Sequence, residues 1–305
     1  MTATNLEPFL FDKNLGAPMQ VEPGDLPQTN ADGRAIMPLT DEQKYLFDAR
    51  GWLLIPGVLG DSEVAEMRDY ALRVHNEPES LPERERSFVA GPLQQLTDHP
   101  VVVGFMHEFL ANPTMSTPDC YGFRLEACTL AVRTTTESPG GFGPHNGNGF
   151  FRFAQDSHHY QCVPGRAFSG LTRVMWELNP VKYRQGGTML ATGSHKSAYT
   201  APAAIRNPDF DVWDTYECPA GSVLFFTEAL THSTSPWTNE ENGRICLFTL
   251  YNSLNSKWGT WEPPPGLVES MPPQRQTLFR GIHCGANVPG YTYWGENHGQ
   301  RRPAG

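Results

Sequence analysis

Two histidines in the second half of the chain sit in settings where an imidazole could do chemistry. His145 lies in Gly143-Pro144-His145-Asn146-Gly147-Asn148-Gly149, and His232 lies in Leu230-Thr231-His232-Ser233-Thr234. Each falls at the end of an expected strand. Twelve residues after His232 comes Arg244, which opens the apolar run Ile245-Cys246-Leu247-Phe248. Taken singly, such a histidine is usually a surface or hydrogen-bonded core residue, and such an arginine is usually solvated. Taken in order, the set is much less ordinary. Imidazole suits ferrous iron, and two imidazole ligands leave open positions for a bidentate organic acid and dioxygen. A strand-borne arginine nearby would hold the far carboxylate of that acid through paired, charge-assisted hydrogen bonds.

Other chemistries find no footing. The sequence carries no G-x-S-x-G, no H-E-x-x-H and no strand–GxGxxG–helix. The glycine run around Gly140–Gly149 lacks the Gly-Lys-Ser/Thr ending of a phosphate loop, and Pro144 removes a donor that such a loop needs. With 23 basic against 33 acidic side chains, a formal charge of −10 and no basic run, a DNA or RNA polymer is not the expected partner. No apolar stretch approaches the roughly 18–20 residues of a membrane helix, and no secretory signal is visible at Met1–Glu7. The six cysteines never form C-x-x-C, so they read as reduced thiols of a cytoplasmic protein.

The elements that must position the histidines follow from local patterns. Residues 1–39 show no apolar period and read as an irregular arm. Thr40-Asp41-Glu42-Gln43 is a capping box, so a helix is expected from there to Arg50, with Gly51 as its C′ glycine. Trp52–Ile55 reads as a buried strand. A second helix follows from Asp61, with Val64, Met67, Ala71 and Val74 at helical spacing, and a third covers about Pro100 to Ala111. Beyond residue 120, short β-branched and aromatic segments alternate with Gly and Pro, over 123–134, 169–178, 188–191, 222–226 and 245–251. Gly and Pro make up about 18% of the chain against a usual share of about 12%, as a loop-rich fold requires. Helices first and strands after point to an α+β arrangement around an antiparallel sandwich or barrel. A single domain is expected over 40–260, with 261–305 as an irregular C-terminal wrap of it.

Three segments together resemble the phytanoyl-CoA dioxygenase-like branch of the iron(II)/2-oxoglutarate oxygenases. They are the opening from Leu39-Thr40-Asp41-Glu42-Gln43 to Gly51-Trp52-Leu53-Leu54-Ile55-Pro56, the Gly186-Gly187…Gly193-Ser194-His195-Lys196 segment, and the His232…Arg244 spacing. The resemblance implies a double-stranded β-helix (a jelly-roll, cupin-like core) braced by N-terminal helices. It also implies His145 and His232 as iron ligands, and Arg244 with Thr234 as the holders of 2-oxoglutarate. Trp176 matches a family tryptophan beside the cosubstrate, with plain core packing as the competing reading. His195 and Lys196 match turn residues without chemistry.

One position departs from the family. Its first motif is His-x-Asp or His-x-Glu, and here the third residue is Gly147. The iron-dependent halogenases of the superfamily have Gly or Ala there, and chloride takes the place of the missing carboxylate. Swapping carboxylate for chloride preserves the anionic ligand count at the metal. The resemblance therefore implies a halogenase that uses Fe(II), 2-oxoglutarate, O2 and chloride on an unactivated C–H bond of a freestanding small molecule. Standalone members that chlorinate a purine deoxynucleotide such as dAMP look most similar in layout. A hydroxylase whose site is completed by a distant acid such as Glu177 or Asp156, and a non-catalytic jelly-roll binding protein, remain as alternatives. Asn146 and Asn148 could position chloride, although asparagine there also suits a turn. Arg173 could position substrate or chloride, and with Arg133, Arg152, Arg166, Arg184 and Lys196 it could form a cationic cluster for a phosphate.

Overall fold

A computed structural model describes residues 26–111, 116–147 and 157–282. Helix α1 (Asp41–Arg50) starts as its capping box requires: the Thr40 hydroxyl accepts from the Gln43 N–H, and the Gln43 side chain accepts from the Thr40 N–H. It stops at Gly51, whose φ of 81° lies in the left-handed region and whose N–H reaches the Phe47 carbonyl at 2.7 Å. Strand β1 (Trp52–Ile55) follows directly, then α2 (Asp61–Asn76), which buries the expected Val64, Met67, Ala71 and Val74. A short α3 (Gln94–Thr97) leads into α4 (Pro100–Phe109), which ends two residues before the boundary read from sequence.

The strands come next: β2 (Phe123–Arg133), a small hairpin of β3 (Gln161–Val163) and β4 (Arg166–Phe168), β5 (Thr172–Glu177), β6 (Met189–Ala191), β7 (Trp213–Asp214), β8 (Ser222–Thr227), β9 (His232–Ser233) and β10 (Arg244–Ser253). A five-stranded antiparallel sheet has the order β1-β8-β5-β10-β2, and a three-stranded sheet has the order β7-β6-β9. Helix first, then two antiparallel sheets, is the α+β jelly-roll architecture expected.

Alternation along the larger sheet divides the core in two. Val174 and Trp176 of β5, Val223 and Phe225 of β8, and Ile245 and Leu247 of β10 pack toward the helices, where Phe105 of α4 stacks on Phe225 at 4.3 Å. Met175, Leu224, Phe226 and Cys246 point the other way and join Leu190, Tyr216 and Trp237 between the sheets. The histidine site opens from this second face.

The segments flanking the domain are tied to it at one buried ion pair. Arg275, in the short helix α5 (Pro273–Gln276), donates from Nε to Asp98 at 2.9 Å and from Nη2 to Asp32 at 2.6 Å. Asp98 also accepts from the Tyr121 hydroxyl and the Ala31 N–H. Leu267, Met271 and Leu278 complete the anchoring by joining the helix-side core.

Three histidines outside the metal motifs have imidazoles largely shielded from water. Burial pushes the imidazoles of His99, His107 and His195 down to about 4. The unfolded chain protonates these groups near pH 6.5, so between pH 6.5 and 4 it binds more protons than the native state, and native stability falls as acid is added. The melting temperature should therefore drop across that window, and His107→Leu should make the decline shallower. Parallel wild-type and variant curves from pH 7 to 4 would count against this assignment.

Candidate active site

His145 and His232 face each other because their backbones pair. They form an antiparallel bridge in which each N–H donates to the other's carbonyl at 3.1 Å, extending the β7-β6-β9 sheet by one residue. The imidazole centroids lie 4.3 Å apart with the rings inclined at 61°. Each ring is oriented by its own strand: Nδ1 of His145 is 2.9 Å from the Gly143 carbonyl, and Nδ1 of His232 is 2.9 Å from the Leu230 carbonyl. A carbonyl only accepts, so Nδ1 carries the proton in both rings and Nε2 is left with its lone pair, the arrangement of a metal-ligating histidine. Burial lowers the His232 imidazole to about 4, with His145 and Arg173 adding to the effect against the opposing pull of Glu228. That ring is neutral, and so able to ligate, at any pH above about 5.

Gly147 is close to this pair, but it leaves no empty slot along its own Cα–Cβ direction. A Cβ built there would lie 1.8 Å from the Thr231 Oγ1 and 3.0 Å from its Cβ, and the residue has φ +92°. A glycine is required here by the approach of Thr231 and by the backbone, apart from any effect on a metal. Loss of the side chain therefore does not simply open space: the carboxylate is absent, and part of the volume it would use belongs to Thr231. Asn146, at φ 60°, also adopts the left-handed backbone of a turn, and its amide donates to Glu228 Oε2 at 2.5 Å.

Glu228 is the residue the sequence reading missed. Its side chain is buried beside the histidines, with Oε2 3.8 Å from His232 Nε2 and Oε1 accepting from Arg173 Nε at 2.5 Å. Burial alone would raise its carboxyl, but the Arg173 guanidinium and His232 outweigh it and hold the group below the ordinary range. The available signal was that Glu228 is the sole charged residue in the run Ser222–Trp237. Among the described residues, no set of three or more His, Cys, Asp and Glu side chains is disposed to hold a metal ion.

The pocket that these residues open into has a volume of about 250 Å³. Its walls include Arg133, His145, Arg173, Thr188, His232 and Thr234, with Phe226 and Phe248 as apolar faces. Arg244 lies on the same face of the sheet but is fully buried and largely committed. Its Nη2 donates to Glu177 at 2.5 Å, to the Tyr216 hydroxyl at 3.0 Å and to Thr188 at 3.1 Å, while Nε reaches Glu177 at 3.3 Å. Glu177 overrides the burial penalty and raises the Arg244 guanidinium well above its usual value. Only Nη1 of Arg244 is left without a partner among the described residues. Glu177, bound to Arg244 and Tyr216, is thus an ion-pair partner and not the distant acid of the hydroxylase alternative. Thr234 lines the pocket and spends its hydroxyl on the Gly141 carbonyl.

Trp176 is not at the site. It lies on the opposite face of β5 from Arg173, is fully buried, and meets the His99 ring edge-on at 5.3 Å, so helix-side packing replaces the expected cosubstrate contact. The cationic cluster also disperses. Lys196 pairs with Asp48 at 2.7 Å, Arg184 pairs with Asp209 at 3.8 Å, and Arg166 borders another pocket, so among the described members Arg133 and Arg173 reach this one. His195 and Lys196 sit in a 3-10 turn bound to Asp48 at the end of α1, as turn residues should. Asn148, Arg152 and Asp156 lie outside the described residues.

The family profile described as phytanoyl-CoA dioxygenase (PhyH) matches residues 47–246, which span the paired histidines and Arg244. The chain belongs to the PhyH family. Among solved structures it is similar to HygX from Streptomyces hygroscopicus with nickel and 2-oxoglutarate bound (21% identity, TM-score 0.58), over 72% of this chain and 90% of that one. It is also similar to the same enzyme with iron bound (20% identity, TM-score 0.56), over 73% and 90%. The α-ketoglutarate-dependent carbocyclase SnoK from nogalamycin biosynthesis matches at 18% identity and TM-score 0.51, over 80% and 94%. These likenesses establish a fold shared with iron/2-oxoglutarate enzymes. No curated protein matches significantly, and no helix among the described residues is long and apolar enough to cross a membrane. The residues present suit both implied groups: two imidazole Nε2 atoms for a metal, and guanidinium N–H groups without a partner among the described residues for an organic acid.

The clash at Gly147 gives a direct test. Gly147→Asp should destabilise the protein in urea denaturation, and Thr231→Ala in that background should recover part of the loss. The expected coupling between the two positions is about 0.5–3 kcal/mol. Strictly additive effects would show that Thr231 is not what excludes a side chain at 147.

Proposed function

We propose that the protein is a non-haem Fe(II)/2-oxoglutarate-dependent halogenase of a freestanding small molecule. The observation that carries this reading is the oriented pair His145 and His232 with glycine, not a carboxylate, at the third position of the first motif. With 2-oxoglutarate and dioxygen, iron at such a pair supplies an oxidant able to remove hydrogen from an unactivated C–H bond.

What the chain itself contributes is orientation, charge and exclusion. The Gly143 and Leu230 carbonyls hold both Nδ1 protons and keep Nε2 aimed as ligands. Thr231 and the left-handed backbone keep position 147 free of a carboxylate. The negative charge such a residue would have brought is then supplied by chloride. Phe226 and Phe248 line the pocket as apolar walls, which strengthens electrostatic interactions inside it. For substrate we place purine deoxynucleotides such as dAMP first, on the resemblance in overall layout; Arg173 lines the pocket beside the histidines, its charge already taken up by Glu228.

A second reading, a hydroxylase, is favoured by one observation: the buried Glu228 carboxylate 3.8 Å from His232 Nε2. Among the described residues it is a carboxylate placed beside the paired imidazoles.

Mass spectrometry separates the two. The protein is incubated with Fe(II), 2-oxoglutarate and air over a panel of nucleotides and amino acids, once in chloride and once in bromide. A product whose mass and isotope pattern follow the halide, with matching succinate release, is expected. A product that gains one oxygen in both salts would replace the halogenase by the hydroxylase, and absence of succinate release across the panel would favour a non-catalytic protein.

A further inference from the structure

Arg133 closes β2 and lies directly opposite Arg244 of β10 in the antiparallel register. Residues opposed in this way project from the same face with Cβ atoms about 4.5–5.5 Å apart, and like charges so placed repel. Glu177 compensates one of the two guanidinium groups, through Nε and Nη2 of Arg244. The remaining polar neighbours bring no charge, because burial and Glu177 push both the Tyr216 phenol and the Cys246 thiol well above their usual values. One positive charge is left over.

That charge belongs to Arg133. Its side chain makes no ion pair among the described residues, and its buried Nη1 has no hydrogen-bond partner there. The guanidinium has room because residue 140 is glycine: a Cβ there would lie 2.7 Å from Nη1. Arg133 lines the histidine pocket, whereas Arg244 reaches it through Thr188 and has one unpartnered nitrogen, also Nη1. Two orphaned N–H groups on adjacent strands and one uncompensated charge make a site for a carboxylate. Burial and the Arg244 charge both lower the Arg133 guanidinium, as expected of a cation that lacks its counter-ion.

We infer that Arg133 is the principal binding residue for the far carboxylate of the keto-acid cosubstrate, with Arg244 contributing one N–H while Glu177 holds it in place. This rests on the 2-oxoglutarate dependence proposed above and shifts the main role from the arginine expected on resemblance to one on the neighbouring strand.

Calorimetric titration of the nickel-loaded full chain tests it without turnover. Two keto acids are compared: 2-oxoglutarate, and 2-oxopentanoate, which keeps the keto-acid end but lacks the far carboxylate. Arg133→Gln should weaken 2-oxoglutarate about 10- to 100-fold, the range of a lost charge-assisted hydrogen bond, and leave 2-oxopentanoate unchanged. Arg133→Lys should fall between. The ligand-free Arg133→Gln protein should melt no lower than wild type, since the change removes a repulsion rather than a support. Equal 2-oxoglutarate affinity in wild type and Arg133→Gln would overturn the assignment and leave the cosubstrate reading standing. A wild-type protein that does not bind 2-oxoglutarate would overturn both.

Discussion

The reciprocal backbone hydrogen bonds between His145 and His232 are the constraint on which the site depends. Each is 3.1 Å long, and neither needs a side chain. They fix two strand ends side by side, so both imidazoles leave the sheet on one face, within 4.3 Å of each other between ring centroids. The two local carbonyl contacts then choose the tautomer of each ring. Two imidazoles placed in this way need no preformed cage of charges to hold them together. They inherit their geometry from sheet pairing, and the larger sheet on the far side of the inter-sheet core keeps that pairing in place.

Around the pair, charge is arranged in two separate units. Next to the imidazoles, Glu228 is neutralised by Arg173 and tethered by Asn146. Further along the pocket, Glu177 neutralises Arg244 and leaves Arg133 uncompensated. The first unit is balanced and, among the described residues, the second carries an excess positive charge, which under the proposed function would draw the far carboxylate of an organic acid to that end. Phe226 and Phe248 put apolar surface beside these groups, which strengthens their field locally.

Much of this was legible in the chain, for identifiable reasons. The capping box at Thr40, the C′ glycine at Gly51 and the apolar spacing of α2 are local signals, and all three elements formed as read. The two histidines were visible because motif spacing reports on adjacent strand ends. Trp176 was misplaced because a family match says nothing about faces. The alternation of Arg173, Met175 and Glu177 against Val174 and Trp176 already put the indole on the helix side. The opposition of Arg133 to Arg244 and the closeness of Glu228 to His232 depend on strand register and on a tight turn. Composition and spacing do not encode either. The contact of Thr231 with position 147 is of the same kind: only the folded backbone reveals that the glycine is sterically required.

The central claim is that iron is held by two protein nitrogens and accompanied by a halide where relatives of the His-x-Asp type place an acid. X-ray absorption at the iron edge, on the anaerobic protein loaded with Fe(II), 2-oxoglutarate and bromide, tests it most directly. The account predicts two imidazole ligands and one bromide in the scattering shell, with the bromide lost in a bromide-free control. A shell filled by a protein oxygen, with no bromide and with that oxygen removed by Glu228→Ala, would contradict it.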